Sequence, residues 1–97
     1  MFGRRRMMIA RKLFINGIVQ GVGYRFFAQR SAARHQIRGY VKNLQDGRVE
    51  VWVEGKDAAV LAFKDDLAAG PIDGKVTVIE ELVVEPTGLY SAFRIER

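Results

Sequence analysis

Apolar and polar positions alternate along this chain, shift to a helical spacing, and then alternate again. Leu13 to Val19 is a short run rich in Phe, Ile and Val and predicts a strand. Gln20-Gly21-Val22-Gly23 interrupts it. From Tyr24 the period changes: Tyr24, Phe27, Ala28, Ser31 and Ala32 fall at i, i+3, i+4, i+7 and i+8, one face of a helix reaching about His35. Ile37 to Leu44 predicts a second strand, ended by Gln45-Asp46-Gly47, whose Asp-Gly pair is a hairpin signal. Val49, Val51 and Val53 then alternate with Glu50, Trp52 and Glu54, which predicts a strand with one buried and one wetter face. Asp57 is placed to cap a second helix, with Val60, Phe63 and Leu67 as its inward stripe and Gly70-Pro71 as its stop. Lys75 to Glu85 predicts a fourth strand, Pro86-Thr87-Gly88 a turn, and Ala92 to Ile95 a short edge strand.

The order strand, helix, strand, strand, helix, strand is the split β-α-β arrangement. It implies an α+β, ferredoxin-like domain with two helices packed on one face of an antiparallel sheet, plus the short edge strand. With 97 residues there is room for one core and not for two. The expected division is a flexible basic extension over residues 1–12 and a folded domain over residues 13–97. Many unrelated activities use this fold, so it names no function by itself.

Composition removes several classes of chemistry. The chain has no cysteine, which excludes disulfides, thiolate metal sites and cysteine nucleophiles. No apolar run approaches the ~18 residues of a membrane span. Met1 to Ala10 is basic but is not followed by the apolar stretch of a secretory signal. A cytoplasmic monomer with no membrane partner is expected. The net charge of +5 raises the question of nucleic acid, and its distribution answers it. Arg4, Arg5, Arg6, Arg11 and Lys12 account for all of it, and from Leu13 onward 11 basic residues balance 11 acidic ones. Inside that neutral remainder, Arg25 to Arg48 holds six basic groups against Asp46 alone, enough to steer a small anion. A basic tail is more often a solvated end than a binding arm, so no nucleic-acid partner is expected.

Gly17-Ile18-Val19-Gln20-Gly21-Val22-Gly23-Tyr24-Arg25 carries the clearest chemical signal. Gly21 and Gly23 lack the Cβ that would stop several backbone N–H groups from pointing inward together. The unpaired N–H groups of the helix's first turn and its dipole favour an anion at that spot. Arg25 can present a planar fork of donors to the same anion, which makes a phosphate cradle that needs no metal. The loop lacks the Lys-Ser/Thr pair of a nucleotide P-loop and the spacing of a dinucleotide fingerprint. Alone it reads better as a tight strand–helix connection with a solvated arginine.

A second stretch changes the balance. Gly39-Tyr40-Val41-Lys42-Asn43 leads into Asp46-Gly47, and Glu54-Gly55 closes the next strand. Together with Gly-Ile-Val-Gln-Gly-Val-Gly-Tyr-Arg, these segments closely resemble the acylphosphatase family from about Leu13 to the C-terminus. The resemblance implies hydrolysis of the carboxyl–phosphate anhydride of acyl phosphates, without a cofactor, giving a carboxylate and inorganic phosphate, the latter also an inhibitor. It matches Arg25 to the phosphate-binding arginine, Asn43 to the asparagine that positions the attacking water, and Gln20, Gly21, Val22, Gly23 and Tyr24 to the backbone phosphate loop. Two positions depart: Gln36 stands where a glycine often ends the first helix, and Tyr24 replaces a more usual phenylalanine.

Such a reaction asks little of a protein. The leaving carboxylate is already a stable anion, so no general acid is needed. Holding the phosphoryl group, stabilising charge on its oxygens and placing a water in line suffice. Asn43 can accept one hydrogen bond from the water and offer amide protons to phosphoryl or acyl oxygens. Competing features are weaker. His35 lies about three helical turns from Arg25 and reads as a surface residue. Asp65 and Asp66 are adjacent on a helix and point apart, so they form no metal pair. Trp52 is expected on the open sheet surface. Arg38-Gly39-Tyr40 looks like the start of an RNA-binding motif of the same topology. The match fails at Val41 and Lys42, and it falls on the wrong strand.

Overall fold

A computed structural model describes residues 8–97. The elements are β1 (Met8–Ile18), α1 (Tyr24–His35), β2 (Arg38–Asn43), β3 (Val49–Lys56), α2 (Asp57–Ala69), β4 (Lys75–Val84) and β5 (Phe93–Glu96). They build one five-stranded sheet in the order β4-β1-β3-β2-β5, with α1 and α2 packed on one face. The four long strands pair antiparallel, whereas β5 joins β2 in parallel, so the sheet is mixed.

Alternation decides which face is the core. Leu13 and Ile15 of β1 lie level with Val51 and Val49 of β3, and all four are fully buried beneath the helices with Val41 and Val53. Val60, Phe63 and Leu67 of α2 close the layer, as their helical spacing requires. Helix α1 contributes small residues, Ala28, Ser31 and Ala32, which let it approach closely. Each buried aliphatic side chain contributes roughly 1.5–3 kcal/mol.

Two expectations change at the ends of β1 and α2. Residues 8–12, assigned by pattern to the basic extension, form the first part of β1, and the rest of that extension lies outside the described residues. Met8, Ile9 and Ala10 pair with Lys56, Gly55 and Glu54, and Ala10 is fully buried. The charges of Arg11 and Lys12 hide the strand. Arg11 meets Glu81 at 3.0 Å and Lys12 lies 3.7 Å from Glu50, so both remain in strand register with their charges paired. Asp57 is the first residue of α2 and not its cap; Lys56 precedes the helix and makes no side-chain capping bond. From the first turn, the Asp57 carboxylate still interacts favourably with the positive end of the helix dipole.

The second face of β3 is also drier than its acids suggest. Strands β4 and β5 occupy opposite edges, so residues 85–92 must cross that face. Glu54, only 3% exposed, accepts bonds from Thr87 N, Thr87 Oγ1, Gly88 N and the Trp52 indole. Glu50 accepts from the Tyr40 hydroxyl. Tyr40 and Trp52 pack against each other and against Tyr90 of the crossing segment.

The helices are joined by a shared acceptor. Asp66 takes bonds from Ser31 Oγ (2.6 Å) and Arg34 (2.8 Å), and its carboxylate lies 3.0 Å from His35 Nε2. Asp66 is therefore an inter-helix clamp and not simply part of a solvated face. The hydrogen bond from Ser31, followed by His35 and Arg34, holds its carboxyl below the ordinary aspartate range. Burial pushes the Glu54 carboxyl up, but the donors from Thr87, Trp52 and Gly88 outweigh burial and leave it low. Helix α1 ends at Gln36 in the left-handed conformation (φ 57°, ψ 43°), the geometry that glycine adopts without strain.

These contacts set two expectations for stability. Gln36→Gly should stabilise the fold by about 1 kcal/mol, raising the melting temperature by roughly 4–8 °C in a thermal scan. Groups with depressed folded-state pKa values contribute stability above their unfolded pKa of about 4, and lose it as pH falls through the folded value. Urea midpoints should therefore drop below pH ~4, and Asp66→Asn should lower the neutral-pH midpoint and flatten that acid limb.

Candidate active site

Strand β1 delivers the chain to the end of the sheet, and the direction it takes next is set by two glycines. Gly21 (φ 77°) and Gly23 (φ 78°) are left-handed, while Val22 between them is not. A Cβ built on either glycine would meet nothing within 4 Å, so these positions need glycine for its backbone freedom and not for space. Alternating signs of φ turn successive N–H groups toward one side, making a concave anion-binding nest. Helix α1 begins directly after it. Gly23 supplies no side-chain cap, and the first intrahelical bond runs from Phe27 N to Gly23 O at 3.0 Å. The N–H groups of Tyr24, Arg25 and Phe26 precede that bond and have no intrahelical acceptor.

These groups border a cavity of about 470 Å³. Gly21, Gly23, Tyr24 and Arg25 form one wall, and Asn43, the last residue of β2, lies on another. Two motifs far apart in the sequence thus meet in one hollow. Arg25 enters none of the ion pairs among the described residues, which leaves its guanidinium available to a ligand. The Asn43 side-chain oxygen is buried with no donor from the protein. An unpaired buried acceptor costs about 1–3 kcal/mol, which a water or ligand donating to it would relieve.

The remaining expected positions contribute differently. Tyr24 is 1% exposed, and its hydroxyl donates to Leu67 O at 2.7 Å, so its side chain anchors α1 to α2. Burial pushes that hydroxyl well above the usual tyrosine range, so it stays protonated. The Val22 side chain packs against the core. Gln20 turns its amide away from the cavity toward the β2–β3 hairpin.

Three lining residues carry no chemical signal in the sequence pattern: Phe26, Ile95 and Arg97. Phe26 offers the nearest thing to one, as the neighbour of Arg25 and an apolar residue left 67% exposed. Ile95 and Arg97 arrive through the parallel β2–β5 pairing, in which Val41 faces Ile95 and Lys42 faces Glu96. That pairing brings Arg97 to the level of Asn43.

A wider hollow of about 980 Å³ lies at the opposite end of α1. It carries Arg38 and Lys56 but none of the loop amides, and His35 at its rim is held by Asp66. The smaller cavity is where the chemistry converges.

A family model described as Acylphosphatase matches residues 11–95. An acylphosphatase of Actinobacillus succinogenes is 46% identical over 90 residues, covering 93% of this chain and 100% of that one. One from Solibacter usitatus is 44% identical over 86 residues, covering 89% and 88%. The crystal structure of an acylphosphatase from Bacillus subtilis superposes with a TM-score of 0.88 at 34% identity, covering 94% of this chain and 100% of that one. With the family model spanning most of the chain and relatives of this similarity over nearly their full length, the chain belongs to the acylphosphatase family of enzymes.

Proposed function

We propose that this chain hydrolyses acyl phosphates by in-line attack of a water on a phosphoryl group, with Arg25 and the 20–24 loop holding that group and Asn43 placing the water. The observation that carries the reading is the meeting of the glycine nest, Arg25 and Asn43 in one cavity. Attack forms a bond from the water oxygen to phosphorus and breaks the bond from phosphorus to the acyl oxygen. The carboxylate leaves with the bonding electrons, and the water's two protons pass to phosphate and solvent. A phosphoryl oxygen of the substrate is itself available as the first acceptor.

Each part has a physical task. The nest amides and the N-terminus of α1 face the equatorial oxygens, where charge gathers. Arg25 adds a charge-assisted fork that can span two of them. The Asn43 oxygen accepts one proton of the water, which turns a lone pair toward phosphorus. No helix among the described residues is long and apolar enough to cross a membrane. With no cysteine in the chain and no interface required by the site, a cytoplasmic monomer acting on a small acyl phosphate fits best. Tyr40 and Trp52 are engaged with Tyr90, Glu50 and Glu54, which argues against a base-stacking surface for RNA.

Four measurements test this. Benzoyl phosphate hydrolysis should persist in a strong chelator, since the described residues bring together no cluster of three or more His, Cys, Asp or Glu able to hold a metal. Loss in chelator with recovery on adding magnesium would contradict it. Inorganic phosphate should compete with the substrate, and a noncompetitive pattern would move its site elsewhere. Arg25→Ala should weaken phosphate binding by about 1.5–3 kcal/mol, a tenfold to hundredfold loss or more, and lower turnover as well. Asn43→Ala should instead depress kcat by on the order of a hundredfold with phosphate affinity little changed. Near-normal kcat in Asn43→Ala would remove its role in placing the water.

A further inference from the structure

Phosphate loop and Asn43 belong to different parts of the chain, and the catalytic reading requires them to keep a fixed separation. The loop follows β1, whereas Asn43 ends β2, two strands away in the sheet with β3 between them. Backbone pairing does not join the two directly beyond the sheet end. One side chain does. Gln20 Nε2 donates to Leu44 O at 2.8 Å and to Arg48 O at 2.9 Å, using both of its amide protons. Leu44 is the residue after Asn43, and Arg48 is where the chain re-enters the sheet toward β3.

These bonds are not what makes the hairpin. Leu44 N donates to Arg48 O at 2.8 Å, and Gly47 N donates to Leu44 O at 3.2 Å, so the turn closes with its own backbone. Asp46 adds a further clasp by accepting from Arg48 N at 3.1 Å. Gln20 therefore adds a second donor to carbonyls that already have one. Its specific contribution is the link between loop and hairpin.

Resting on the hydrolase reading above, we propose that the Gln20 side chain is a positioning residue: it fixes the water-placing Asn43 relative to the phosphate cradle. Its backbone and side chain then serve the two halves of the site separately. The backbone belongs to the turn that receives the phosphoryl group, and the amide holds the strand end that carries the asparagine. Loosening such a link leaves both halves intact but misplaces one against the other. Displacement on the scale of 1 Å can cost up to about a hundredfold in rate.

The consequence is a split between binding and turnover. Gln20→Met keeps the length and bulk of the side chain and removes both donors. It should lower kcat for benzoyl phosphate by about tenfold, while KM and the inhibition constant of inorganic phosphate stay within about twofold. Gln20→Glu is the sharper probe. At neutral pH it turns a carboxylate toward two carbonyl oxygens, so kcat should fall below that of Gln20→Met. As pH falls and the new carboxyl takes up a proton, it can donate to one carbonyl again, and kcat should recover relative to wild type at the same pH. A merely structural role would give no such recovery.

The experiment is steady-state hydrolysis of benzoyl phosphate by the full chain and both variants across pH, with circular dichroism at each pH showing the variants folded. Wild-type turnover with a kcat-only loss in Gln20→Met and acid recovery in Gln20→Glu is the expected result. Wild-type kcat in folded Gln20→Met, or a rise in KM and phosphate inhibition constant with kcat unchanged, would overturn the positioning role while leaving the hydrolase reading intact. Absence of hydrolysis by the wild-type chain would overturn both.

Discussion

The site depends on one backbone constraint: the chain must pass from the end of β1 into the first turn of α1 through two left-handed residues. Left-handed residues flanking a right-handed one favour a concave turn of amides leading into the uncapped helix start. L-residues resist the left-handed region by roughly 1–2 kcal/mol each, so Gly21 and Gly23 make the turn accessible. The fold then holds its two ends. On one side, β1 is fixed between β3 and β4 and cannot slip without moving Leu13 and Ile15 out of the core. On the other, Tyr24 is fully buried and tied through its hydroxyl to α2, which sets where the helix begins.

Electrostatics favours the same end of the molecule without any large net field. The acids of the body are mostly spent internally: Glu54 on the crossing segment, Glu50 on Tyr40 and Lys12, Asp66 on α1, Glu81 on Arg11 and Lys64. Arg25 has no such partner among the described residues, and Arg97 shares the lining of the cavity with it. Cations and the start of α1 therefore share the same hollow, as the proposed phosphoryl site requires. Phe26, which also lines that cavity, leaves an apolar ring exposed beside it.

Much of this is readable from the sequence, for reasons specific to each element. The two helices, the hairpin at Asp46-Gly47 and the core stripes of β3 and α2 follow from period and turn chemistry, and the structure has them where expected. The loop, Arg25 and Asn43 can be brought together only through a resemblance, because no periodicity places residue 43 beside residue 25. Local pattern misleads where a charged side chain conceals its own partner. Arg11 and Lys12 look like tail and are strand; Glu50 and Glu54 look wet and are buried; Asp66 looks solvated and is a clamp. In each case a decisive partner lies on another element, beyond the reach of any local pattern. Ile95 and Arg97 are hidden for a related reason: β5 pairs in parallel with β2, a strand from the first half of the chain, and composition carries no trace of that choice.

The central claim is that the protein grips the phosphoryl group and delivers water to phosphorus, not to the acyl carbon. Hydrolysis of benzoyl phosphate in ¹⁸O-labelled water tests it directly, because the two routes place the label in different products. Attack at phosphorus predicts one labelled oxygen in inorganic phosphate and none in benzoate. Label in benzoate would mean attack at the carbonyl carbon, and would contradict the roles of the loop, Arg25 and Asn43.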